Sequence, residues 1–417
     1  MKVAFLVNDL QLSGGIGVVV QHARNLVHDH GFDVTLVLVR PQDDPHWRYE
    51  SLEGLRVESI AEASHEHFDV AVATWWKTTF SLFAVPATRY AYFVQSLEDR
   101  FYKPDEADRY IAGLTLDLPV AFITEARWIA ETLRQLRPDA PCYLVRNGVD
   151  KEVFALPDRV VPRYDEPLRV LIEGNPSTWF KGVHEAIDVV GHMERPRDVT
   201  LVTSERDDEW AGGVDRVVGP VDHREMARLY GTSDVVLKLS RVEGMYGPPL
   251  EGFHRGATCV TTEVTGHDEY VVHGWNGLIT DWDDTAGTAR QLDLLAGDRR
   301  FLHFLRYNAV ETARGWPSWR QSSQFMALAL RAILRGPEPA AAPAAARMTA
   351  DLRATLDTYR IHLHERVVYA REVERLQRLK QLPGIRHVRR LRASRKARRL
   401  LRPVWPLLRA ARRRLLP

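Results

Sequence analysis

Short runs of continuous apolar residues alternate along this chain with longer stretches in which apolar positions recur every three or four residues. The runs Lys2–Asn8, Asp33–Val39, Phe68–Thr74, Tyr90–Gln95 and Pro119–Thr124 read as strands buried on both faces. Between them, Ile16–Asp29 and Ala126–Gln135 read as helices. Alternation of this kind predicts βαβ units on a parallel sheet. The pattern breaks at Asp158–Pro167, a polar stretch punctuated by prolines, and then restarts. Strands are predicted at Leu168–Glu173, Asp198–Ser204, Asp234–Ser240, Thr258–Thr262 and Leu278–Thr280, with helices at Val183–His192, Arg224–Tyr230 and Pro248–Arg255.

The expected fold class is α/β, with two Rossmann-like domains facing each other and a C-terminal helical, basic tail. Open α/β sheets bind ligands beyond the carboxyl ends of their strands, so the cleft between the two domains is the expected site. The predicted division is 1–160 for the first domain and 161–315 for the second. A helix at 316–335 returns toward the first domain. Residues 336–347 read as a Pro/Ala linker, and 348–417 as a helix followed by a basic amphipathic tail. In the helical stretch Leu352, Leu356, Tyr359, Leu363, Val367, Ala370 and Val373 fall near one stripe, suited to packing on the body or on a second copy through 348–380.

The 417 residues suit two or three domains, and 45% hydrophobic with 27% charged residues is ordinary for a soluble globular protein. No apolar run approaches the roughly 18 residues of a spanning helix. The opening Met1–Asn8 is a strand pattern without the basic start of a secretory signal. Cys142 and Cys259 form no disulfide framework, which fits a reducing cytoplasm. The net charge of +2 hides an asymmetry: Arg375–Pro417 holds 16 Lys and Arg and no acid, leaving a net of −14 on the rest. A basic tail with Trp405, Leu407 and Leu408 points to an anionic membrane surface, and the absence of zinc, RRM or KH signatures argues against nucleic acid.

Two loops carry the candidate chemistry. Gly14, Gly15 and Gly17 lie between the first strand and a helix, where backbone N–H groups can approach a phosphate; a tight βα turn needs the same glycines. The segment Ser240–Phe253 links a strand to a helix and holds Glu243 and Glu251, with Gly244, Met245, Tyr246 and Gly247 between them and Pro248 and Pro249 suited to a first turn. A carboxylate just inside that helix can accept from vicinal sugar hydroxyls, and the loop N–H groups suit a diphosphate. A capped helix with acidic residues at its start would read the same way. Asp281-Trp282-Asp283 matches an Asp-x-Asp metal pattern but reads as a solvated turn. The pairs His28/His30 and His362/His364 read as surface histidines, so no metal site is expected.

Glu243 and Glu251 resemble the paired-glutamate motif of the family 4 retaining glycosyltransferases, which have the GT-B fold. Four other segments agree, in the family's order. They are Gly14-Gly15-Ile16-Gly17; Arg146-Asn147-Gly148-Val149-Asp150 with Phe154; Phe180-Lys181-Gly182; and Gly266-His267-Asp268-Glu269 with Asn276-Gly277-Leu278. The resemblance covers about residues 1–335. It implies that Glu243 contacts the donor sugar, Glu251 the ribose and Lys181 the diphosphate, with Gly15 close to the same phosphates, Asn175 on the donor side, and Glu243 and Lys181 as the catalytic pair. Many members carry an arginine shortly before the lysine, where this chain has Glu173-Gly174-Asn175-Pro176. Gln95 and Glu98, with Trp75, resemble a subgroup associated with rhamnosyl transfer and are the acceptor-side candidates.

The resemblance implies a metal-independent, cofactor-free hexosyltransferase; the cysteine usage and the basic tail place it in the cytoplasm, peripheral at the inner face of the membrane, as expectations. It would move a sugar from a nucleotide-sugar donor to a glycan or lipid-linked acceptor with retention, in cell-surface polysaccharide synthesis. A catalytically inactive sugar-nucleotide-binding protein and a sugar-nucleotide epimerase on the same fold are the alternatives.

Overall fold

The computed structural model describes residues 1–11, 13–40, 52, 54–164, 167–204, 212–336 and 342–381. Among the described residues, those up to 353 form one unit and 354–381 belong to a second.

The first unit is built on two parallel sheets. In the first, strands β1 (Lys2–Val7), β2 (Asp33–Leu38), β3 (Arg56–Ser59), β4 (Phe68–Ala73), β5 (Ala87–Val94), β6 (Ala121–Thr124) and β7 (Cys142–Leu144) lie in the order β3-β2-β1-β4-β5-β6-β7. In the second, β8 (Leu168–Glu173), β9 (Arg197–Val202), β10 (Arg216–Val218), β11 (Val235–Lys238), β12 (Thr258–Thr262) and β13 (Leu278–Thr280) lie in the order β10-β9-β8-β11-β12-β13. Both are doubly wound. The strand order reverses between β1 and β4 in one sheet and between β8 and β11 in the other, and a crevice opens at such a reversal. Val3, Phe5 and Val72 on one face and Ala4, Leu6 and Ala73 on the other are fully buried, as a sheet covered by helices on both faces requires.

The predicted strands and helices are present, three strands with the expected bounds and the others with ends shifted by up to three residues. Three further strands, β3, β7 and β10, have no counterpart among the predicted runs. Each is an edge strand of three or four residues. Arg56-Val57-Glu58-Ser59 alternates in burial and is too polar to give a buried-strand signal.

The chain crosses between the sheets twice, at Arg146–Asp150 and at Trp316–Ser318, and the crossings are stitched together. Val149 bridges Ser318, Trp316 Nε1 donates to the Asn147 carbonyl at 2.9 Å, and a Cβ at Gly148 would overlap the Trp319 backbone. The helix Trp319–Arg335 that follows sends Met326, Ala327, Leu330 and Ile333 into the core of the first sheet. His22, buried on the helix Gly14–His30, meets Ser323 at 3.0 Å.

The Pro/Ala stretch expected as a linker up to residue 347 is instead helical from Ala342, in a helix Ala342–Gln381. Pro343 sits in its first turn, where proline costs nothing, and the alanines that follow are strong helix formers. Within residues 354–381 the predicted stripe is mostly exposed at Tyr359, Leu363 and Val367. The expected tail beyond Gln381 lies outside the described residues.

Candidate active site

The loops that leave β8 and β11 meet at the reversal point of the second sheet. After β8, Gly174 turns the chain at φ 147°, and Asn175 Oδ1 accepts from the Ser177 N–H at 2.8 Å. A short 3-10 turn, Trp179–Lys181, then delivers Lys181. Gly182 follows at φ 65°, and a Cβ there would overlap the Leu239 carbonyl, so glycine is required. The Arg241 N–H donates to the Phe180 carbonyl at 2.8 Å and pins the turn to the β11 loop.

Lys181 Nζ lies 3.0 and 3.1 Å from the two carboxylate oxygens of Glu243. The structure therefore brings the two predicted catalytic residues into direct contact. Behind them stands Lys238, the last residue of β11, with a side chain 1% exposed. Its ammonium donates to Glu173 Oε2 at 2.6 Å and to the Glu173 carbonyl at 3.1 Å, and lies 3.9 Å from Glu243 Oε1. Burial alone would push Glu173 upward, but Lys238 and Lys181 together hold it below the usual carboxylate range. Burial likewise works against the charge on Lys181, and Glu243 and Glu173 outweigh it, raising Lys181. Neither Lys238 nor Glu173 is singled out by the sequence motifs. A lysine ending an apolar strand and a glutamate ending another were the available signal, since a charge at such a position needs a buried partner.

Glu251 stands just inside the helix Gly247–His254, which begins one residue earlier than expected. Burial and the Glu173 charge raise its carboxyl to about 8. Tyr246, expected at the donor, is instead fully buried. Its hydroxyl bonds the Lys238 carbonyl and Thr261 Oγ1, each at 2.7 Å, and its carbonyl accepts from the Tyr270 hydroxyl. Its side chain is an anchor for the loop, because an aromatic there fills the core under β11 and β12.

The first sheet closes on this loop from the other side. Met245 donates its N–H to Glu125 Oε1 at 3.0 Å, so that donor is already spent, and Asn147 Nδ2 donates to Glu125 Oε2 at 2.8 Å. Burial, with Glu243 nearby, raises Glu125 to about 7. The Gly244 carbonyl accepts from Trp128 Nε1 at 3.0 Å, and a Cβ on Gly244 would overlap the Gln95 carbonyl. Glu269, from the late motif, accepts from the Arg127 N–H and pairs with Arg146 at 3.2 Å. Trp179 Nε1 donates to the Phe101 carbonyl at 3.2 Å, and Phe101 stacks on Phe180 at 5.1 Å. Glu125 gives no signal in the sequence: its role depends on a partner 120 residues away.

Gly14, Gly15 and Gly17 open the first helix, which is capped by Ser13. Gly15 faces the Gln95 side-chain amide, whose Nε2 donates to the Thr74 carbonyl at 3.1 Å. Gly15, Gln95 and the Thr74–Trp75 turn thus gather at the ends of β1, β4 and β5. Trp75 is half-buried, with Lys77 Nζ 4.8 Å over its ring. Glu98, an acceptor-side candidate on the sequence, is buried: Oε2 accepts from the Trp76 N–H at 2.6 Å and from the Tyr92 hydroxyl at 2.9 Å. Burial raises it to about 8. It braces the Trp75–Trp76 turn from beneath rather than facing the cleft. Asp283 sits at φ 63° in an exposed turn and clasps Arg241, which also meets Glu185 at 3.4 Å.

Comparison with known proteins agrees with this geometry. Residues 167–298, which carry Glu173, Lys181, Lys238, Glu243 and Glu251, match the family described as glycosyl transferases group 1. The chain is 28% identical over 184 residues to D-inositol 3-phosphate glycosyltransferase of Corynebacterium urealyticum, covering 43% of this chain and 39% of that one. It is 26% identical over 199 residues to N-acetyl-alpha-D-glucosaminyl L-malate synthase of Bacillus anthracis, covering 45% and 51%. The chain thus matches about half or less of the length of these relatives. Among solved structures, HepE of Anabaena, in complex with UDP and glucose, superposes with a TM-score of 0.64 at 16% identity, over 80% of this chain and all of that one. Residues 167–298 thus match the group 1 glycosyltransferase family, and the two parallel sheets of the first unit are the GT-B fold.

Proposed function

We propose that this protein transfers a sugar from a nucleotide-sugar donor to a glycan or lipid-linked acceptor with retention of anomeric configuration. The observation that carries the reading is the contact of Lys181 with Glu243 at the reversal point of the second sheet. A diphosphate entering that crevice meets a cation beside the carboxylate that would orient the sugar. Transfer breaks the bond between the anomeric carbon and the diphosphate oxygen and forms one to the acceptor oxygen on the same face. The acceptor proton passes to the departing phosphate, which needs no protein base. Lys181 would stabilise the charge that develops on that leaving group. Glu251 would hold the ribose, and Gly15 would lie near the phosphates from the first domain. Trp75 and Gln95, at the strand ends of the first sheet, would line the acceptor side, in the manner of the rhamnosyl-transfer subgroup.

The reading extends to cell-surface polysaccharide synthesis at the inner face of the cytoplasmic membrane, with the basic tail on anionic lipid and 348–380 as a contact between two copies. Among the described residues, no helix is long and apolar enough to cross a membrane. The test is a screen of labelled UDP-, GDP- and dTDP-sugars for binding, hydrolysis and transfer, with Lys181→Ala as control. The expected loss in turnover for that variant is about 100-fold or more. Binding without any turnover in the unmodified protein would favour the catalytically inactive alternative.

A further inference from the structure

A buried lysine whose ammonium reaches two carboxylates is costly to keep unless it serves something besides stability, because a well-packed apolar side chain of similar size often does as well or better. Lys238 is such a residue, and its position in the charge array says what it could serve. Along the crevice the charges alternate: Glu173, Lys238, Glu243, Lys181, with contacts of 2.6, 3.9 and 3.0 Å. Lys181 is the half-exposed end of this array, and Lys238 stands buried between the two carboxylates.

The geometry points to Lys238 as a positioning residue that frees Lys181 for the donor. The inference rests on the donor reading above. In this structure both oxygens of Glu243 are taken up by Lys181. A diphosphate can recruit Lys181 only by drawing it from Glu243, which would leave a buried carboxylate with no cation. Lys238 removes that obstacle. It already stands 3.9 Å from Glu243 Oε1, on a strand end fixed in the sheet and fastened at its carbonyl by the Tyr246 hydroxyl. It also neutralises Glu173, which otherwise would compete for Lys181. Lys238 thus acts on the diphosphate through Lys181, without touching it.

The experiment is a double-mutant cycle read by calorimetric binding of inorganic pyrophosphate, a probe independent of the donor's base and sugar. Lys238→Met should weaken pyrophosphate binding by about tenfold or more. In the Glu243→Gln background the same substitution should cost no more than about threefold, because the carboxylate that captures Lys181 is gone. Equal losses in both backgrounds, or no loss in either, overturn the inference. Should Lys238→Met fail to fold, Glu173→Gln gives the second reading. It releases Lys238 toward Glu243 and should tighten pyrophosphate binding, whereas unchanged or weaker binding overturns the inference. If the unmodified protein binds neither pyrophosphate nor any nucleoside diphosphate, the donor reading itself falls, and the inference with it.

Discussion

The backbone N–H of Met245 donates to Glu125 Oε1 at 3.0 Å, across the boundary between the two sheets. The loop between Glu243 and Glu251 is therefore shaped by the first domain as well as by its own helix. A residue of β11's loop holds its position because a buried acid at the end of β6, steadied by Asn147, accepts its hydrogen bond.

The close approach at Gly244 gives the first prediction. A Cβ there would strike the Gln95 carbonyl and crowd Glu125 Oε1, so Gly244→Ala should push the two loops apart while leaving each sheet intact. Turnover should fall by about 100-fold, the usual cost of an ångström of misplacement at a reacting centre. The melting temperature should change little. Full activity in the variant would show that the approach of Gln95 to Gly244 is dispensable.

Stability should fall as pH rises above neutrality. Glu98 and Glu125 have an ordinary value of 4.5 and stand at about 8 and 7 in the fold. Raised acids favour the folded state while protonated. Their contribution is fully present below the unfolded value and is lost as pH climbs through 7 and 8. Each group can account for no more than about 1.4 kcal/mol per pH unit. His22, lowered to about 3 by burial, acts in the opposite direction, but only below its ordinary value of 6.5. Urea unfolding between about pH 6.5 and 9 reads these two acids together with Glu251, which is also raised to about 8. Glu98→Gln should remove part of the slope, since both of its hydrogen bonds fall on one oxygen that an amide can replace. A flat profile in the unmodified protein would count against these buried acids being protonated.

Nucleotide binding should release a proton from Glu251. At neutral pH its carboxyl, raised to about 8, is largely protonated, whereas ribose hydroxyls donating to it favour the charged form. Affinity for the nucleotide should therefore increase as pH rises toward 8. Calorimetry in buffers of different ionisation enthalpy should detect the release, and Glu251→Gln should abolish it. The same proton exchange in both proteins would remove Glu251 from the ribose site.

The tail should take the protein to anionic membranes. Sixteen basic residues without an acid repel one another, and each can contribute about 1 kcal/mol near an anionic leaflet. Full-length protein should float with anionic vesicles at low salt, and a chain shortened to end at Gln381 should not. If both stay in solution at every lipid charge, the tail's partner is instead the acidic remainder of the chain, net −14.

Sequence alone determined the elements with the longest signals. Val3-Ala4-Phe5-Leu6-Val7 has no polar face to offer water, so it can only be a strand covered on both sides, and the helix Gly14–His30 shows its periodic stripe and its Ser13 cap locally. The contact of Lys181 with Glu243 was foreseeable only as a shared site, through ordered motifs 62 residues apart. Tertiary structure decided the rest. Glu98 and Tyr246 read as acceptor-side and donor-side groups because polarity is visible in a sequence and burial is not; each is satisfied by partners that the sheet brings in, Trp76 and Tyr92 for one, Lys238 and Thr261 for the other. Lys238 and Glu173 acquire a role only when β8 and β11 become neighbours, although 65 residues separate the pair. Glu125 gains its role only when the second sheet closes on the first. Charge at a strand end is local information, but whether it meets an opposite charge depends on strand order, and strand order is set by packing of the whole sheet.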